Sequence, residues 1–189
     1  ALSPETVIKI TLSESPTEIV QIINDDLASK AEENDQVAQF SQQMQNMRQQ
    51  ARELDEQQQQ ISQQMQQQHS GSQQNSLNDT GTNQEIADRL RQQRENMQNI
   101  LDQMKEVSEQ SEESEPLLSR RLYDTYRQTS TENVDRALQT TEELMRRNFV
   151  PQAQNTEEQA REGIQRLREG VEEAASSVLG DEADSLRLA

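Results

Sequence analysis

The chain has 189 residues, of which 30% are hydrophobic, 2% aromatic and 28% charged, with a formal net charge of −17, a mean hydropathy of −1.11 and neither Cys nor Trp. So little apolar surface excludes a thick multilayer core, and four Pro with five Gly are too few for a turn-rich all-β domain or a flexible Gly/Ser linker. The 35 acidic residues against 18 basic ones argue against nucleic acid and anionic membrane as partners, because both need clustered Lys and Arg.

Low hydrophobicity with high charge is also the signature of disorder, so the spacing of the few apolar residues decides the class. The 31 Gln favour helix while filling a core poorly. In residues 1–15, Ser3-Pro4-Glu5 reads as a helix start although Thr6 to Leu12 alternates like a strand; a short helix is preferred, because a lone strand has no partner here. Ser15-Pro16-Thr17-Glu18 then has the residues of a capping box, which predicts a helix over 16–68.

Along that helix Val37, Phe40, Met44, Met47, Ala51, Leu54, Gln58, Ile61, Met65 and Gln68 are spaced alternately by three and four, the a/d seam of a heptad repeat. Residues 69–84 read as a flexible polar loop. A second heptad helix, 85–107, carries Ile86, Leu90, Gln93, Met97, Ile100, Met104 and Val107. Residues 108–116 form an acidic, Ser-rich break ending at Pro116, and disorder is most expected at 69–83 and 108–115.

Residues 117–178 predict a helical hairpin with its turn at 148–151: one helix from Leu117 to Arg147, and a second from Gln152 to Val178 with a seam at Ala160, Ile164, Leu167, Val171, Ala174 and Val178. Gly180 is expected to cap it, with a further helix starting over 181–189. Pairs such as Glu157/Arg161, Glu162/Arg166 and Arg168/Glu172 read as solvated helix faces rather than an anion site.

No constellation for chemistry emerges. His69 is the only histidine, so neither a structural zinc site nor a Ser–His–Asp arrangement is expected, and no Gly-rich phosphate loop, EF-hand spacing or nucleophile elbow occurs. The chain reads as non-enzymatic, with no cofactor and no metal. The absence of an initiator Met and of a terminal helix cap suggests a piece of a longer chain.

The texture of Val134-Asp135-Arg136-Ala137-Leu138, Glu142-Glu143-Leu144-Met145-Arg146-Arg147, Pro151-Gln152-Ala153, Glu157-Glu158-Gln159-Ala160 and Ile164-Gln165-Arg166-Leu167, with Ala87 to Gln93, resembles the helical coiled-coil region of large membrane-anchored bacterial envelope proteins of unknown function, of the planctomycete and alphaproteobacterial kind. The resemblance spans about the last hundred residues. It implies an envelope location and a membrane anchor outside this sequence, and it carries over no binding or catalytic residue.

The expected fold is therefore all-α, elongated antiparallel helical hairpins in a coiled-coil-like bundle. The expected role is a structural spacer or scaffold. The alternative is an interaction module that docks a partner helix, or a second copy, along Val37, Phe40, Met44, Met47, Leu54, Ile61, Met65, Leu90, Met97, Ile100 and Met104.

Overall fold

All four prolines stand in the first turn of a helix, where the missing N–H has no intrahelical partner to lose and the fixed φ suits the helix. Pro4 opens α1 (Pro4–Leu12), Pro16 opens α2 (Pro16–Gly71), Pro116 opens α4 (Pro116–Thr131), and Pro151 is the second residue of α6 (Val150–Arg187). The remaining helices are α3 (Asn78–Gln110) and α5 (Val134–Arg146). The computed structural model describes the backbone of residues 3–12, 15–71 and 78–187, without the side chains of 11, 12, 33, 68–71, 78–80 and 179–187. Among the described residues there is no strand, and the chain is all-α.

The chain divides into two units, residues 1–42 and 43–189. In the first, the Ser3 hydroxyl caps α1 by accepting from the Thr6 N–H at 3.1 Å. Thr6 Oγ1 in turn donates to Asp26 Oδ1 on α2 at 2.6 Å, and Lys30 Nζ donates to Asp26 Oδ2 at 2.8 Å, which clasps α1 to α2. The Lys30 and Thr6 hydrogen bonds hold the Asp26 carboxyl well below the usual carboxylate range. Val7, Ile8, Val20 and Leu27 of this unit are exposed.

The second unit is an antiparallel four-helix bundle whose legs are the distal part of α2, then α3, then α4 with α5, then α6. Cross-helix bonds fix the directions. Gln93 donates to the Leu54 carbonyl and Arg89 to Gln64, so α3 runs back along α2. Gln98 donates to Asp135 and Ser108 to the Ser119 carbonyl, so the third leg reverses again. Arg121 pairs with Glu173 and Arg166 with Glu132 just after α4, while Arg52 pairs with Glu172 and Gln58 with Glu157, which places α6 antiparallel to both α4 and α2. At 1.5 Å per residue, legs of about 30 residues are about 45 Å long.

Single apolar stripes fill the interior: Met44, Met47, Leu54, Ile61 and Met65 from α2, Ile86 to Val107 from α3, Leu118, Leu122, Val134, Leu138 and Met145 from the third leg, and Ala160 to Val178 from α6. The axes of α6 and the third leg come close through glycine. A Cβ on Gly163 would lie 2.2 Å from Val134 Cγ2, and one on Gly170 would lie 2.4 Å from Thr125 Cγ2.

Several connections differ from the sequence expectation. The helix expected from Leu117 to Arg147 is two, because Asn133 takes a left-handed conformation (φ 55°) that Asn tolerates better than most residues. Residues 108–116 are not a disordered break: Ser108 lies within α3, and the turn is confined to 111–115. Serine hydroxyls hold it, with Ser111 Oγ donating to the Val107 carbonyl at 2.7 Å and Ser119 Oγ to the Ser108 carbonyl at 2.7 Å. The expected loop at 69–84 is helical at both ends, through Gly71 and from Asn78, while its middle, 72–77, lies outside the described residues. Gly180 does not end α6, which runs on to Arg187, so no separate helix starts at 181.

The turn near 148–151 closes α5 in a Schellman motif. Phe149 N–H bonds the Leu144 carbonyl at 2.8 Å and Asn148 N–H bonds Met145 at 3.0 Å, with Asn148 at φ 61° in the place usually taken by Gly. Asn83 Nδ2 on α3 donates to the Asn148 side chain at 2.9 Å and ties that turn down.

Candidate functional site

The seam proposed from sequence as a partner surface lies in the interior. Phe40, Met44, Met47, Leu54, Ile61, Met65, Leu90, Met97, Ile100 and Met104 are all buried, and Val37 is half-buried. From Met44 onward these side chains belong to the four-helix unit, so the helices that cover the seam come from the chain itself. His69 lies in the last turns of α2, and its side chain is outside the described residues.

The interior also carries polar groups at heptad positions. Gln58 is 0% exposed, and its Nε2 donates to Glu157 Oε1 at 2.9 Å; Ser62 Oγ donates to the other carboxylate oxygen at 3.3 Å. Burial pushes the Glu157 carboxyl above its usual range, against the smaller opposing pulls of the Gln58 bond, the Arg161 charge and the Ser62 bond. Glu157, at 5% exposed, is thus a core residue and not the solvated partner of Arg161 that its spacing suggested. The signal was in the register: counting back from Ile164 by four and three reaches Ala160, Glu157 and Ala153. Likewise Glu172 turns to Arg52 on α2 at 2.8 Å rather than to Arg168, whose Nε lies 3.4 Å from the buried Asp55.

Open grooves run between the legs. One of about 870 Å³ lies between α2 and α3. It has Glu53 and Glu56 on one side and Glu85 and Asp88 on the other, with Ile61 and Gln93 among its lining. A second groove of about 470 Å³ shares Glu53 and Gln57 with it, is lined by Leu54 and Ile100, and adds Asp102 and Glu106. Among the described residues Arg89 is the single cation lining the two grooves, and Gln64 and Gln60 accept from its guanidinium at 2.7 and 3.2 Å. Gln93 is 1% exposed; its Nε2 is committed to the Leu54 carbonyl at 2.8 Å, and its Oε1 has no partner.

Two other grooves differ in chemistry. One of about 520 Å³ between α3 and α4 holds both tyrosines of the chain, Tyr123 and Tyr126, beside Pro116. Another of about 640 Å³ between α3 and α5 gathers Arg91, Arg94, Arg146 and Arg147, and these arginines pair with neighbouring carboxylates including Glu95, Glu142 and Glu143. Among the described residues, no group of three or more His, Cys, Asp or Glu could hold a metal ion, and no helix is long and apolar enough to cross a membrane. Comparison with family models, curated proteins and solved structures finds no match to the chain.

Proposed function

We propose that the chain is a non-enzymatic structural module, a helical spacer or scaffold within a larger bacterial surface or envelope protein. One observation carries this reading: the most distinctive side chains of the sequence, the Met, Leu and Ile of its heptad seams, are consumed in a bundle core that runs along all four legs. The buried polar pairs support it too, because a hydrogen-bonded Gln58–Glu157 contact in an apolar seam penalises helix registers that would leave those groups unpaired. The envelope setting rests on the resemblance of the last hundred residues and implies an anchor supplied elsewhere. Docking of a partner helix onto the seam itself would require the bundle to open.

A scaffold's performance tracks the integrity of its fold rather than any one exposed group. In the parent protein, core truncations that unfold the bundle should abolish the cellular phenotype, and substitutions of exposed Glu, Gln and Arg should leave it unchanged. A single exposed polar residue whose replacement abolishes the phenotype with the circular dichroism melt unaltered would overturn the reading.

A further inference from the structure

The groove of about 520 Å³ between α3 and α4 leaves aromatic surface open to solvent. The chain has two Phe, two Tyr and no Trp, and both tyrosines line this groove, three residues apart on α4 and so on one face of it. Tyr123 is 56% exposed and Tyr126 is half-buried, and among the described residues neither phenol oxygen has a hydrogen-bond partner. The two serines of the lining are committed to each other's carbonyls, at 2.9 and 2.7 Å, which fixes α4 against α3. Of the charged groups, Lys105 pairs with Glu109 and Arg120 with Asp124, while among the described residues Glu112 has no ion-pair partner.

Exposed tyrosine rings with free O–H donors match the chemistry of a polyproline II segment. Its Pro rings offer apolar faces, and its carbonyls, which make no internal hydrogen bonds, need donors. Pro116 to Tyr126 spans about 15 Å along α4 at 1.5 Å per residue, the length of about five polyproline residues at 3.1 Å each. We propose that this groove docks a proline-rich segment of a partner protein, with prolines on Tyr123, Tyr126 and Pro116, carbonyls accepting from the two phenols, and a flanking Lys or Arg facing Glu112. All four prolines of this chain stand in the first turn of a helix, so neither the chain itself nor a second copy supplies such a segment. The inference goes beyond the scaffold reading and does not rest on it: a scaffold that binds nothing here remains a scaffold.

The test uses the whole chain and labelled peptides of about ten residues built on Pro-x-x-Pro, with one Arg at either end so that both directions along the groove are offered. Fluorescence anisotropy should give saturable one-to-one binding. Tyr123→Ala, at an exposed position, should weaken it about tenfold or more, and Tyr123→Phe, which keeps the ring and removes the donor, about threefold. Glu112→Gln should weaken it about threefold and flatten its salt dependence. Phe149→Ala, at an exposed aromatic residue outside the groove, should change it less than about twofold. No saturable binding below about 1 mM by any of the peptides overturns the proposal. So does an equal loss in Tyr123→Ala and Phe149→Ala, which means general adhesion to exposed rings. Equal binding of a peptide with every Pro replaced by Ala overturns it too, because that is attraction of Arg to an acidic chain.

Discussion

Along α6 two glycines bring the neighbouring legs close: Gly163 lies against Val134 and Gly170 against Thr125, so closely that neither position has room for a methyl group. The legs α2 and α3 instead send Met44, Met47, Met65, Met97 and Met104 into the interior, with Gln58 and Gln93 among them, and open grooves follow their shared face. Both hairpins obey the same three-four spacing, yet the glycines that flank Ile164 and Val171 let the neighbours of α6 approach closely. Small residues specify one close packing, whereas flexible Met accepts several and leaves the surface between the legs accessible.

The sharpest way to break this contrast is to remove the same side chain on each side of it. Leu122 is fully buried on α4, while Leu54, also buried, lines one of the grooves. Leu→Ala changes cost about 2–5 kcal/mol, with the spread set by how well the surroundings collapse or admit water. Leu122→Ala is expected at the upper end and Leu54→Ala at the lower, as read by urea denaturation. The reverse order would mean that the two hairpins do not differ in packing.

Gly163→Ala sharpens the same point from the opposite direction. In a solvated helix this change favours the fold by about 1 kcal/mol. Here the new methyl meets the stiff, buried Val134, so a net loss of about 1–3 kcal/mol is expected. Met97→Leu, a volume-conserving change on the adaptable side, should cost less than about 1.5 kcal/mol. Thermal melts of the two variants compared with the parent chain decide it, and a neutral Gly163→Ala would show that Val134 moves aside freely.

Much of this architecture is legible in the sequence, and its misreadings have physical causes. Heptad spacing marks Met44 to Met65 and Leu90 to Met104 as seams, and Arg146-Arg147-Asn148 followed by Phe149-Val150-Pro151 marks the last turn. What spacing alone does not say is where a seam's partner comes from; four legs in one chain supply it internally. Asn133 was unreadable as a break because the chain bends there through a left-handed residue without Pro or Gly. The Ser-rich stretch from 108 looked unstructured because serine prefers caps and turns, and here its hydroxyls build the turn itself. For Glu157 the heptad position is a better guide than its charge, and the acidic groove between α2 and α3 needs the fold, because its walls lie on two helices.

Glu157 supplies the subtlest test of what the polar interior does. Burial holds its carboxyl above the usual range, so the folded chain binds that proton more tightly than the unfolded chain does. The stability this group contributes is therefore complete below the ordinary glutamate range, near pH about 4, and is lost as pH rises through the folded value. Glu157→Gln keeps an acceptor for Gln58 Nε2 and cannot ionise. The gap between the melting temperatures of Glu157→Gln and the parent chain should then move in favour of the variant as pH rises from the acidic side to neutrality, and level off beyond the folded value. Other carboxylates contribute equally to both chains and cancel in the difference. A gap that stays constant with pH would mean that Glu157 titrates as freely folded as unfolded, and would leave the Gln58–Glu157 contact no more consequential than the ion pairs on the bundle's exposed faces.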